Sequence, residues 1–137
     1  MSWLLDTNVV SELRKGARAD AGLIRWASAR EGDAWLSALT VGEIRRGTEL
    51  LRRRDDVAAR QLDIWLAGLL DTFESRILPV DARVAEVWGR INVPDPLPTV
   101  DGLIAATALA YDLTLVTRNV KDVAGSGVRV LNPFAGC

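Results

Sequence analysis

Trp3-Leu4-Leu5-Asp6-Thr7-Asn8 decides how the rest of the chain is read, because three apolar residues give way at once to three polar ones. So short an apolar run predicts a buried strand whose carboxyl end presents Asp6. Working outward, Ala34-Trp35-Leu36-Ser37, Leu113-Thr114-Leu115-Val116-Thr117 and Val128-Arg129-Val130-Leu131 read as further strands. Ile77-Leu78-Pro79-Val80 reads as a strand or an extended entry into a helix. Apolar periods of three and four predict helices from Val9 to Lys15, stopped by Gly16, and from Ala21 to Ala29. Another opens at Thr40, with Val41, Ile44, Thr48 and Leu51 on one face, and one runs through Leu62, Trp65, Leu66, Leu69, Leu70 and Phe73. Asp81 to Ile91 follows, then the prolines of residues 93–98 force a loop. A helix dense in small residues (Ala105, Ala106, Ala108, Ala110) starts at Thr99, and Asn119 to Val123 is a short turn. Strands alternating with helices imply one α/β domain over 1–137, with a central, mostly parallel sheet and helices on both faces. Ligands of such sheets bind at the carboxyl ends of the strands.

Composition narrows the chemistry. The chain has no histidine, which removes Ser–His–Asp and Cys–His catalysis and the usual histidine base. One cysteine, Cys137, permits no intrachain disulfide and no ordinary zinc site. Catalysis must therefore rest on carboxylates, hydroxyls, the lysines Lys15 and Lys121, or a hard metal held by oxygen. No run approaches the roughly 18 apolar residues of a membrane span, and Met1 to Asp6 lacks the features of a signal peptide, so a cytoplasmic location is expected. Net charge is −1, too little for adhesion to nucleic acid by bulk charge. Arg45-Arg46 and Arg52-Arg53-Arg54 read as a solvated helix face or as a strip facing phosphates.

Four acids fall where the topology would build a site. Asp6 follows the first strand, Glu43 opens the helix after the second, Asp101 opens the small-residue helix, and Asp122 follows the Leu113–Thr117 strand with Asn119 nearer its end. Oxygen ligands gathered at one edge suit Mg²⁺ or Mn²⁺. Each acid also has a plain structural reading. Asp6 fits an N-cap; Thr40 with Glu43, and Asn119 with Asp122, have cap-plus-three spacing; Asp101 fits a first-turn acid after a Thr99 cap. Capping, however, does not require four helix starts to share one sheet edge.

These residues resemble the PIN domain, and in particular VapC-type toxins of toxin–antitoxin pairs. The similar motifs are Leu4-Leu5-Asp6-Thr7-Asn8-Val9-Val10-Ser11-Glu12, Thr40-Val41-Gly42-Glu43-Ile44 with Gly47, Thr99-Val100-Asp101-Gly102-Leu103-Ile104-Ala105-Ala106-Thr107-Ala108, and Leu115-Val116-Thr117-Arg118-Asn119-Val120-Lys121-Asp122-Val123. Leu131-Asn132-Pro133-Phe134 looks like the family's ending, and Val123 stands where relatives commonly carry phenylalanine. The resemblance implies a PIN-like three-layer sandwich and an Mg²⁺-dependent endoribonuclease, with Mn²⁺ able to substitute, that hydrolyses RNA by metal-activated water. It implies that Asp6, Glu43 and Asp101 hold the metal, that Asp122 or Asn119 completes the acidic set, and that Thr7 and Thr117 support it. A cognate antitoxin and a homodimer are implied as well, with the helices between Glu43 and Phe73 as the docking candidates.

Three rivals follow from the residues alone. One is a phosphatase using Asp6 as aspartyl nucleophile, although the second acid such enzymes place two residues on is here Asn8. Another is a non-catalytic module in which the acids are only caps. The third is a nuclease acting on DNA.

Overall fold

The computed structural model describes residues 1–30 and 32–135, so Cys137 lies outside the described residues. Five strands, β1 (Trp3–Leu5), β2 (Ala34–Ser37), β3 (Ile77–Leu78), β4 (Thr114–Val116) and β5 (Val130–Leu131), form one sheet in the order β3-β2-β1-β4-β5. Every pairing is parallel, with Leu4 opposite Trp35 on one side and Leu115 on the other. The sheet is thus fully parallel, and all its carboxyl ends lie along one edge. Six helices cover it: α1 (Thr7–Leu13), α2 (Ala21–Ser28), α3 (Ala38–Arg52), α4 (Asp56–Thr72), α5 (Ala82–Ile91) and α6 (Thr99–Ala110).

The alternation of side chains along a strand explains the three layers. Leu5, Leu36 and Val116 enter one core with Val9, Val10, Leu23, Ile44, Leu66 and Phe134, from the helices α1 to α4 and the C-terminal tail. Their strand neighbours Leu4 and Leu115 point the other way and pack on Ile104, Ala105 and Ala108 of α6. The small residues of α6 let it lie close to the sheet on one side. On the other, Ala106 and Ala110 meet Val84 of α5.

Helix starts differ from the sequence expectation in ways that matter for the acids. α1 begins at Thr7, two residues before Val9, because Asp6 accepts the Thr7 amide as N-cap. α3 begins at Ala38, since the buried Ser37 hydroxyl accepts the Leu39 amide. Thr40 is therefore inside the helix, not its cap, and Glu43 lies more than a turn from the start. α6 begins at Thr99 itself with Pro98 in the capping position and no side-chain cap. Asn119 precedes a 3₁₀ turn (Val120–Val123), again without a side-chain cap. Of the expected side-chain caps only that of Asp6 forms, while Asp101 does lie in the first turn of α6 as expected.

Candidate active site

The parallel register puts Asp6 at the end of β1, between Ser37 at the end of β2 and Thr117 just past β4. The Asp6 amide donates to Val116 O at 2.9 Å, which ties the residue to the neighbouring strand end. Asp6 is buried, 8% exposed, and held by three hydrogen bonds. Oδ1 accepts the Thr7 amide at 2.8 Å; Oδ2 accepts the Thr117 hydroxyl at 2.8 Å and Asn8 Nδ2 at 3.3 Å.

Thr117, wholly buried, is the hub of this cluster. Besides donating to Asp6, its Oγ1 accepts Asn8 Nδ2 at 3.2 Å and the Asn119 amide at 3.0 Å. Asn8 Oδ1 in turn accepts the Arg118 amide at 3.1 Å. The loop after β4 is thereby fixed to the start of α1. On the other side Thr7 Oγ1 donates to Glu43 Oε1 at 2.5 Å and lies 3.1 Å from the hydroxyl of buried Thr40. Glu43 is thus held toward α1 from a different element.

Electrostatics tie the four acids together. Burial pushes the Asp6 carboxyl above the usual range, the hydrogen bonds from Thr117 and Thr7 pull it back, and the charges of Glu43 and Asp122 push it up again. Asp101, half-buried in the first turn of α6, is raised by burial, then by Asp6, Asp122 and Glu43 in that order. Burial and all three neighbouring acids oppose its charge. The fold therefore places Asp6 and Asp101 within electrostatic reach of each other and of both Glu43 and Asp122, on the sheet edge the topology required.

Asn119 contributes its backbone amide to the cluster, whereas Asp122 contributes charge that both Asp6 and Asp101 feel. Among the described residues, no three acids are close enough to form a closed chelating set. The hard oxygen donors nonetheless fit Mg²⁺, which keeps several waters and is commonly bound through only one or two carboxylates. An open, mutually repelling group of carboxylates matches that demand.

Asn8, Thr40 and Ser37 are the members sequence reasoning missed. Asn8 stood in the opening polar triplet, but only a bond across more than a hundred residues reveals its work. A separate apolar cavity of about 590 Å³, lined by Leu13, Ile24, Trp26 and Phe73 among others, contains none of the acids. Its cations, Arg30 and Arg76, donate to the backbone carbonyls of Trp26, Ala34 and Thr72.

Comparison with known proteins agrees with this architecture. The family profile described as "PIN domain" matches residues 3–121. Toxin FitB of Neisseria gonorrhoeae is 34% identical, over 96% of this chain and 97% of its own length. VapC ribonuclease Y4jK of Sinorhizobium fredii is 30% identical, over 96% of each chain. The crystal structure of FitAcB from Neisseria gonorrhoeae superposes with a TM-score of 0.86 at 34% identity, covering 96% of this chain and 97% of the other. With the sheet order, the acidic edge and the profile in agreement, the chain belongs to the PIN-domain family, alongside toxins of the VapC kind.

Proposed function

We propose that the protein is a divalent-metal-dependent endoribonuclease, the toxin of a toxin–antitoxin pair. The observation that carries this reading is the convergence of Asp6, Glu43, Asp101 and Asp122 from four separate elements, three of them with no capping duty to explain their presence. Buried Asp6 and half-buried Asp101 stand near exposed Glu43 and Asp122; holding negative charge there costs stability, and a cation is the natural counterpart. The name of the Sinorhizobium relative supports ribonuclease chemistry. Two solved relatives, at 32% and 27% identity, are described as FitAB bound to a DNA fragment and as a toxin–antitoxin complex from Klebsiella pneumoniae, which supports an antitoxin partner.

In this reading Asp6 and Asp101 are the principal metal ligands, with Glu43 and Asp122 at the rim. A bound Mg²⁺ or Mn²⁺ would neutralise the carboxylates and polarise a phosphodiester for attack by water. The chain's own part is orientation. Thr117, Asn8 and the Thr7 amide hold both oxygens of Asp6 in place. Thr7 turns one oxygen of Glu43 inward and leaves the other to accept a proton from the attacking water. Asp122, rather than Asn119, supplies the fourth charge, because it is Asp122 whose charge reaches Asp6 and Asp101. A phosphatase reading fares worse: Asn8 occupies the position of the second acid and bonds to Asp6 instead.

The test is incubation of purified protein with tRNA and rRNA fragments in Mg²⁺, Mn²⁺ or chelator. Cleavage that requires metal is expected, and its loss in Asp101→Asn. Full cleavage in chelator, or by Asp101→Asn, would overturn the proposal.

A further inference from the structure

Of the arginines that a sequence reading offers as a phosphate strip, Arg45 and Arg52 bond to Glu49 and Asp63 at 2.7 to 3.0 Å; exposed Arg46, Arg53 and Arg54 form no ion pair among the described residues but do not line the clefts beside Asp122. Arg118 and Lys121, beside the acidic edge, have no ion-pair partner among the described residues. Glu12 and Asp20 feel the charge of Arg118, but their oxygens bond to Lys15 and to the backbone amides of Asp20, Leu23 and Ala135.

Arg118 is also held in a form suited to recognition. Its backbone is pinned to Asn8, inside the cluster that holds Asp6. Its guanidinium lies over the Phe134 ring, 4.0 Å from the centroid, and Phe134 is itself a core residue. A guanidinium held over a ring face keeps its five N–H donors, which suit a phosphate. Lys121 stands where two clefts of about 340 Å³ meet. One is lined by Arg118, Asn119, Asp122 and Asn132; the other lies between Asp122, Gly125 and the proline loop of residues 93–98. Lys121 and Asp122 line both, so the two clefts adjoin at these residues.

A strand entering an acidic centre needs fixed cations near its flanking phosphates, since charge farther away than about 8 Å is screened at physiological salt. We propose that Arg118 and Lys121 grip successive backbone phosphates of single-stranded RNA in these joined clefts and so carry the strand past the acids. The flexible backbone of a single strand can follow adjoining clefts. This inference rests on the ribonuclease reading.

The test separates the two. Binding of a short fluorescein-labelled single-stranded RNA is measured by anisotropy in an Asp101→Asn background, at several salt concentrations, so that no cleavage is needed. Arg118→Ala or Lys121→Ala should each weaken binding roughly tenfold, as loss of a charge-assisted contact does. Each should also flatten the slope of log Kd against log salt by about 0.7. Arg118→Lys should keep the slope while losing affinity, which distinguishes a lost contact from a damaged fold. Arg60→Ala, which removes a remote surface cation on α4, should change neither quantity. Unchanged slopes in both alanine variants, an equal effect of Arg60→Ala, or no salt-dependent binding would overturn the inference. Failure of metal-dependent cleavage by the unmodified protein would instead overturn the ribonuclease reading.

Discussion

Replacing Thr117 with valine tests the hub of the site without changing its shape. The substitution keeps the β-branched outline and removes one hydroxyl that donates to Asp6 Oδ2 at 2.8 Å and accepts from Asn8 and the Asn119 amide. The bond to ionised Asp6 is the costly one, about 1.5–3 kcal/mol for a hydrogen bond to a charged group. Asn8 retains its bond to Asp6, and Asn119 is exposed, so water can take up its amide. The total should be about 2–3 kcal/mol at neutral pH. The sign with pH follows from Asp6. Its carboxyl is raised in the fold, so this group favours folding below its unfolded pKa and disfavours it as pH rises through the folded value. Losing Thr117 raises that carboxyl further, because the Thr117 bond is the leading influence that lowers it. The destabilisation by Thr117→Val should therefore be largest at neutral pH. It should shrink to about 1 kcal/mol, the value of a neutral hydrogen bond, once Asp6 is protonated. Urea unfolding of the metal-free protein from acid to neutral pH measures this directly. With an m-value of about 1–3 kcal/mol/M, the midpoint at neutral pH should fall by roughly 1 M. Thr117→Ser should lie close to the parent. A destabilisation under about 0.5 kcal/mol, or one independent of pH, would show that the hydroxyl does not serve the carboxylate.

Asp101→Asn should abolish metal-dependent cleavage yet make the metal-free fold more stable at neutral pH, because burial and three acidic neighbours raise the Asp101 carboxyl. Thermal melting with and without Mn²⁺ should show a raised melting temperature and a reduced response to metal. Thr7→Val should lower kcat by roughly 10- to 100-fold through loss of Glu43 orientation, with little change in KM, in steady-state cleavage of a defined RNA. In Gly22→Ala the new Cβ would stand 2.7 Å from both Ala135 N and Pro133 O, backbone atoms that must move. A cost of about 1–3 kcal/mol by chemical denaturation is expected.

Much of this was legible in the chain because it depends on local pattern. The break between Leu5 and Asp6 and the alternation of apolar strands with amphipathic helices report burial directly, and the parallel topology then puts four acids at one edge. Helix starts were harder to place. Ser37 competes with Thr40 as the cap of α3, and the choice turns on whether the chain leaves β2 already turning, which no residue type announces. The roles of Asn8 and Thr117 were less legible still. They meet across 109 positions only after β1 and β4 pair, so no window of sequence contains both. The pairing of two arginines in the strip was hidden for a similar reason, since Asp63 on α4 meets Arg45 and Arg52 only once α3 and α4 pack together.

The helix starts at this edge pose a physical problem that the caps resolve. An N-terminus carries partial positive charge and repels a cation, so a metal site ringed by helix starts would work against itself. Asp6 accepts the first amide of α1, and the Ser37 hydroxyl occupies the start of α3, leaving Glu43 more than a turn away, where the helix field has faded. Among the α-helix starts at this edge, it is Asp101 that sits in a first turn without a side-chain cap beside it. That position should stabilise a carboxylate, yet burial and three neighbouring acids outweigh it and raise Asp101 all the same. Negative charge at this edge therefore exceeds what the helix termini can absorb, and the excess is what a divalent cation would neutralise.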